Sequence, residues 1–424
     1  MKGDILLSRK EIHRLQVLEK VMGKIISLRT ASQHLELSYR QAKRLWSRFK
    51  IQGAAGLAHL RRGKSSPRAF PHDLRQRILN LFQSTYFDFN TTHFTEMLLE
   101  REQISVSRES VRSILRAAHI KPKKRHRPPR FRRRRTPKPQ FGMLLQWDGS
   151  PHPWFGPQHP PCCLMAAIDD ATSKLIAAFF TPVESSEAYL RLLDRVLQKI
   201  GTPLAIYHDR HGSLVRVDNF WSLEEQLQGF QYPTHVGRVL QDLHIQSISA
   251  LSPQAKGRVE RLFGVLQDRL IAELRLENID SIEKANPWLD SFFIHRFNRR
   301  FAKSPSQFGS AFTPISYQER FRLVSYAYQA VVANDNTVRL GGLIIDIPPT
   351  STRRSFAKKT VLVRQHLDGS WSVWDGSFKI ASHAPTPFSE PIRSWKHKAS
   401  GKDNLKALEA LQVYIQSKPA PLPG

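Results

Sequence analysis

The feature that most restricts the fold is a pair of apolar runs that each end in an aspartate, followed by a helix that opens on a glutamate. Phe141-Gly142-Met143-Leu144-Leu145-Gln146-Trp147-Asp148-Gly149-Ser150 has the continuous apolar character of a buried strand and delivers Asp148 at its end. Thr202-Pro203-Leu204-Ala205-Ile206-Tyr207-His208-Asp209-Arg210 delivers Asp209 in the same way. Between them, Leu164 to Phe180 is two apolar runs around Asp170 to Lys174, the pattern of a hairpin, and Glu187 to Ile200 reads as a helix. Farther on, Ser252-Pro253 closes a turn, and Val259, Leu262, Phe263, Leu266 and Leu270 recur at helical spacing. Lys256, Glu260 and Gln267 share the face adjoining that stripe, where a carboxylate can meet others brought in by neighbouring strands. The order is strand, hairpin, helix, strand, strand, helix. It sets Asp148 on the first strand, Asp209 on the fourth and Glu260 on the last helix.

That order is the RNase H-like arrangement, and the motifs narrow it further. Gln146-Trp147-Asp148-Gly149-Ser150, Ala167-Ile168-Asp169-Asp170-Ala171-Thr172, Tyr207-His208-Asp209-Arg210-His211, Ser252-Pro253-Gln254-Ala255-Lys256-Gly257-Arg258-Val259-Glu260-Arg261 and Phe297-Asn298-Arg299-Arg300-Phe301 resemble the ISNCY-type insertion-sequence DDE transposases of the retroviral integrase superfamily. The resemblance is strong over residues 140 to 305 and rests on organisation in the flanks. Two departures stand out. Trp147 replaces the small aliphatic residue usual before the first aspartate, and the stretch from Asp209 to Glu260 is longer than in retroviral integrases, with Arg216 to Gly237 holding the extra residues.

The resemblance implies a catalytic triad of Asp148, Asp209 and Glu260 that also binds metal. Three converging acids repel one another unless cations intervene, and oxygen-only ligands of high charge suit Mg²⁺, with Mn²⁺ as substitute. Two ions about 3.5 to 4 Å apart promote in-line displacement at phosphorus. In that scheme Asp148 bridges both ions, Asp209 ligates one and Glu260 the other. Water nicks the element's 3′ ends, the freed 3′-hydroxyl attacks target DNA, and Lys256 grips the terminal phosphate. Asp169 and Asp170 are assigned to the hairpin turn instead. Two other functions keep part of the pattern: a catalytically silent DNA-binding regulator descended from a transposase, and an RNase H-like nuclease that cleaves without joining.

A chain of 424 residues is too long for one compact core. Its formal net charge of +29 points to a polyanionic partner. Duplex DNA presents about one negative charge per 1.7 Å of axis, which makes such binding salt-dependent. The expected partner is double-stranded DNA, both the inverted repeats and the target, bound by a homodimer or higher multimer. Cys162 and Cys163 are the only cysteines, and vicinal cysteines bridge poorly, so disulfides are not expected and the compartment is read as a bacterial cytoplasm, with the protein on the nucleoid. The apolar runs are too short to span a bilayer, and Met1 to Gly23 is charged throughout, unlike a secretory leader, so no membrane partner is expected. His152, His159, Cys162 and Cys163 form a poor zinc set, because adjacent cysteines chelate awkwardly in a proline-rich loop.

The flanks supply the DNA readers. Residues 1–60 read as a helix-turn-helix: a first helix from Ser8 to Met22, a short one near Ser27 to Leu35, and a third opened by a Ser38/Gln41 capping box. That third helix buries Ala42, Leu45 and Phe49 and presents Arg40, Lys43, Arg44 and Arg48, the profile of a recognition helix. Residues 68–120 repeat the plan, with Thr91 or Thr92 capping one helix and Ser107 capping another that turns Val111, Ile114 and Leu115 inward and Arg108, Arg112 and Arg116 outward. Residues 121–140 form a basic linker whose Lys123, Lys124, Arg125, Arg132, Arg133, Arg134 and Arg135 lie in a stretch without acids or helix, suited to phosphates. Residues 141–305 are the catalytic core. Residues 325–395 show short strand patterns, read as a small β-barrel with Arg353, Arg354, Lys358 and Lys359 as a further DNA contact, and residues 402–418 read as a terminal helix.

Overall fold

The computed structural model describes residues 6–59, 70–123, 135–216, 221, 223–250, 257–340, 342–350 and 353–386. The chain divides into two compact units, 1–81 and 82–424. In the first, α1 (Arg9–Met22), α2 (Leu28–His34) and α3 (Tyr39–Gln52) are each opened by a serine. Ser38 accepts from the Gln41 N–H and Gln41 returns the bond, so the expected capping box forms. Ala42, Leu45 and Phe49 are the buried side of α3, and Leu45 and Phe49 cluster with Leu18 and Leu57. Helix α4 (His72–Ser84) contains the unit boundary.

The second unit begins with α5 (Thr91–Glu100) and α6 (Arg108–Ala117). Asn90, not a threonine, caps α5, accepting from the His93 N–H at 2.9 Å; Ser107 caps α6 as expected. Next come β1 (Leu145–His152), β2 (Cys162–Asp169), β3 (Leu175–Thr181), α7 (Ser186–Lys199), β4 (Ala205–His208), α8 (Leu223–Gln228), α9 (His235–Asp242) and β5 (Gln246–Ser249). The sheet order is β3-β2-β1-β4-β5; β1, β2 and β3 are antiparallel neighbours, whereas β4 is parallel to both β1 and β5. This is the expected RNase H-like, integrase-like core.

Each face of the sheet is covered by helices. Leu145, Trp147, Met165 and Ala167 pack with α7 and α9, whereas Leu164, Ala166 and Ile168 pack with α10 (Gly257–Leu276), α11 (Ile282–Trp288) and α12 (Ile294–Phe301). Pro287 does not end its helix; the backbone widens into a π turn over Leu289–Phe293 and runs straight into α12. Two asparagines explain part of the downstream motif. Asn298 both accepts from the Leu175 N–H and donates to the Leu175 carbonyl, and Asn286 does the same at Phe180, so side-chain amides satisfy the outer edge of β3.

The C-terminal expectation needs correction. After α13 (Tyr317–Leu323), β6 (Ser325–Val331), β9 (Thr360–His366), β10 (Trp371–Asp375) and β11 (Phe378–His383) form an open sheet in the order β11-β10-β9-β6, while β7 (Thr337–Leu340) pairs only with β8 (Leu343–Asp346). No barrel closes among the described residues. The apolar face has another cover: Tyr326, Tyr328, Val363 and Val373 join the cluster containing Val338 and Ile345 of the ribbon and Val236 and Val239 of α9, so the sheet need not curl on itself. Arg238 of α9 also donates to the carbonyls of Ser325 and Ala327. The terminal helix expected over 402–418 lies outside the described residues. No helix among the described residues is long and apolar enough to cross a membrane.

Candidate catalytic and DNA-binding sites

Strand register brings the two aspartates together. Leu145 pairs with Ile206 and Gln146 with Tyr207 in parallel; two residues beyond the last of these pairs, Asp148 lies within β1 and Asp209 directly follows β4. Both are half-buried. The loop after β4 is fixed locally: the His211 N–H donates to Asp209 Oδ1 at 3.0 Å, and His208, fully buried, holds Ser247 of β5 at 2.7 Å. The Trp147 indole is accommodated in the core, 1% exposed, with its ring 5.6 Å from the buried Tyr189 ring of α7. Tyr189 senses the acids: burial first, then Glu184, Asp148 and Asp209, push its phenol far above the usual range.

Glu260 is exposed in the first turn of α10. That turn is tied to β1 by Gln146, which shares a strand face with Asp148: Gln146 Oε1 accepts from the Val259 N–H at 3.3 Å and Gln146 Nε2 donates to Asp170 at 2.8 Å. Asp170, fully buried, also takes Arg258 Nε at 2.7 Å, the Lys138 N–H at 2.8 Å and the Arg135 guanidinium. Two residues before Glu260, the helix is therefore pinned to the strand that carries Asp148. Gln267, farther along α10, donates to Ser150. Among the described residues no three His, Cys, Asp or Glu side chains are close enough together to hold a metal ion. The donor chemistry of the aspartate pair nonetheless fits a hard divalent cation: two half-buried carboxylates, one within β1 and one directly after its parallel neighbour β4, offering only oxygen ligands. Lys256 and the Ser252-Pro253 turn lie outside the described residues.

The neighbouring aspartates have distinct structural work. Asp169 caps the hairpin turn, accepting from Thr172 N–H and hydroxyl at 2.7 Å each and from the Gly142 N–H at 3.0 Å. Asp170 organises α10 and the end of the basic linker, a role its position in a turn does not reveal. Glu184 is not marked by any sequence motif; its carboxylate lies against Gly149, the residue after Asp148, and accepts the Tyr189 hydroxyl. The only local signal was the small residue after Asp148.

The basic residues divide into exposed and engaged. Arg40, Lys43 and Arg44 are exposed on α3, as are Arg108, Arg112 and Arg116 on α6, where Arg112 pairs with Glu109 at 3.4 Å. Arg48 turns inward, donating to the Ala58 carbonyl at 2.8 Å. Lys123 meets the Asp268 carbonyl at 3.2 Å, and Arg135 is held by Asp170. Lys124, Arg125, Arg132, Arg133 and Arg134 lie outside the described residues. In the C-terminal sheet region, Lys359 pairs with Asp375 and Arg353 Nε donates to the Ser355 carbonyl.

Comparison with known proteins agrees with this layout. Residues 13–65 match a family described as a helix-turn-helix domain. The transposase relative y4bF of Sinorhizobium fredii is 36% identical over 381 residues, 88% of this chain and 81% of the relative. The transposase for insertion sequence IS1202 of Streptococcus pneumoniae is 30% identical over 377 residues, 80% of this chain and 78% of the relative. Among solved structures, a simian T-cell lymphotropic virus intasome in complex with PP2A regulatory subunit B56 gamma shares 14% identity, covers 73% of this chain and 100% of its own, and has a TM-score of 0.29. The HTLV-2 integrase catalytic core domain in complex with magnesium, in its trimeric form, shares 19% identity over 36% of this chain and 88% of its own, with a TM-score of 0.24. Likeness that low transfers no residue roles, but the two transposase relatives, matched over most of their length, suffice: the chain belongs to the transposases.

Proposed function

We propose that this transposase nicks the 3′ ends of an insertion sequence and joins them to target DNA, with Asp148, Asp209 and Glu260 as its catalytic acids. The observation that carries the reading is the parallel β1–β4 register, which sets Asp148 beside Asp209 while Gln146 and Asp170 tie the Glu260 turn to the same strand. Asp148, Asp209 and Glu260 would hold Mg²⁺ or Mn²⁺, which would supply nucleophile activation and leaving-group stabilisation for displacement at phosphorus. The chain's own part is positional. Parallel pairing fixes the spacing of the two aspartates, the His211 N–H orients Asp209, and the buried Asp170–Arg258 pair sets the pitch at which α10 presents Glu260. Lys256 is assigned to the terminal phosphate. Arg40, Lys43 and Arg44 on α3 recognise the inverted repeats, with Arg108, Arg112 and Arg116 of α6 as a second basic face, and the complex works as a dimer or higher multimer on DNA.

The test is strand transfer of a 3′-hydroxyl oligonucleotide carrying the element's end into plasmid, in Mg²⁺ or Mn²⁺, comparing wild type with Glu260→Gln. Joined product that disappears in the variant while DNA binding persists is the expected result. Binding without nicking or joining in the wild type would replace the proposal with a silent regulator, and nicking without joining with a nuclease.

A further inference from the structure

Glu184 precedes α7 in the loop after β3, and its carboxylate is seated in a way that requires two other residues. Oε2 lies only 2.6 Å from where a Cβ at position 149 would sit, so the seat exists because residue 149 is glycine. Oε1 is taken by the hydroxyl of Tyr189, a side chain fully buried between Trp147 and His211, with ring centroids 5.6 and 6.0 Å away. Trp147 precedes Asp148, and His211 carries the N–H that orients Asp209. Three contacts of one phenol therefore reach Glu184, the approach to Asp148 and the loop of Asp209.

A simpler account makes Glu184 a carboxylate ahead of a helix N-terminus, favoured by the α7 dipole, with Ser185 as the cap. That account explains the position in sequence. It does not explain a carboxylate turned onto the backbone of the residue after Asp148, in a space that any side chain at 149 would fill. Nor does it explain why the phenol that holds Glu184 packs against Trp147, next to Asp148, and against His211, whose N–H orients Asp209.

We infer that Glu184 is a fourth acidic residue of the catalytic site, a positioning residue whose charge strengthens divalent-cation binding at Asp148 and Asp209 without itself acting on DNA. The inference rests on the proposed catalytic reading. A further carboxylate charge near the cation attracts it, while the Tyr189 bond and the Gly149 seat keep that charge from relaxing away into solvent.

The experiment uses the full chain and two readouts. Mn²⁺ binding is titrated by electron paramagnetic resonance without DNA, and the Mg²⁺ concentration giving half-maximal nicking is measured for wild type, Glu184→Gln, Gly149→Ala and Asp148→Asn. Glutamine keeps an oxygen for Tyr189 and the same shape, so Glu184→Gln removes charge alone. It is expected to weaken Mn²⁺ binding and raise the half-maximal Mg²⁺ concentration about fivefold, with the metal-free unfolding midpoint unchanged. Gly149→Ala, which displaces the carboxylate, is expected to move the metal readouts in the same direction. Wild-type Mn²⁺ affinity in Glu184→Gln, alongside lost binding in Asp148→Asn, would overturn this inference alone. Absence of Mn²⁺ binding in the wild type would overturn it together with the catalytic reading.

Discussion

Asp170 carries two guanidiniums, a main-chain N–H and a side-chain amide on one fully buried carboxylate. Asp170→Asn removes the charge that offsets Arg258, itself only 19% exposed in its side chain, and a buried partner left alone typically costs about 3 kcal/mol. Under the proposed function, in which Glu260 is a catalytic acid, Arg258 lies two residues from it, and nicking should fall about 100-fold while DNA binding persists, as expected for misplacing a reacting group by about an ångström. Denaturant unfolding and single-turnover nicking check the two effects separately. The hairpin containing Asp170 is legible from its two apolar runs and turn residues; its partner 88 positions away is not, because a turn pattern holds no information about what its side chains meet across the fold. Cysteine chemistry gives a second residue-scale expectation. Burial pushes Cys162 up to about 11 and Cys163 up to about 12, with Glu184 adding to the latter, so neither forms appreciable thiolate near neutrality. A disulfide reagent at pH 8 should label the native chain much more slowly than the unfolded one, and rapid native labelling of both would contradict the burial.

At the scale of elements, the acid-rich face of α5 lies against the arginines of α10 and α12. Glu96 takes Arg269 in two bonds of 2.6 and 2.9 Å and also pairs with Arg300, while Glu273 takes Arg296 and stands 3.0 Å from His93 Nε2. Glu96→Gln should therefore cost about 3 kcal/mol. Glu277→Gln, at the more exposed Arg101 pair, should cost less than about 1 kcal/mol, and equal losses in chemical denaturation would refute the distinction. His93, fully buried, is pulled down to about 2 by burial and by Arg269 and Arg296. A histidine with a depressed native pKa is protonated mainly in the unfolded state, so its linkage leaves stability unaffected above about pH 6.5 and lowers it by up to about 1.4 kcal/mol per unit below that. Corrected for the intrinsic pH dependence of amide exchange, the protection of α5 amides should fall as pH drops from 7.5 to 5.5, and His93→Gln should flatten the response. Helix α5 itself was visible in the sequence. Its docking was not: Glu96, Glu100 and His93 look like a solvated face until α10 and α12 are folded beside them, and the same kind of cross-fold information separates an open, helix-covered sheet from a barrel.

For the whole molecule, the first unit holds the helix-turn-helix match and the second holds the aspartate pair. The +29 charge makes affinity for DNA a poor guide to which part of the chain recognises a site, because phosphate contacts anywhere add sequence-independent binding. The salt dependence is more discriminating. Arg40, Lys43 and Arg44 are exposed on one helix, whereas Arg48 is committed to the Ala58 carbonyl. If the first three contact phosphates, replacing each by alanine should reduce the slope of log affinity against log salt by about 0.9, and replacing all three by about 2.7. Arg48→Ala should leave the slope unchanged and lower the stability of the helical unit instead. Nicking at saturating DNA and low salt should survive the triple replacement, because the acids belong to the other unit, whereas Asp148→Asn should leave the slope intact and abolish nicking. Fluorescence anisotropy across a salt series, with inverted-repeat and unrelated duplexes in parallel, separates the outcomes. A triple variant with wild-type slope on both duplexes would move DNA recognition away from α3, to the basic face of α6 or to the linker.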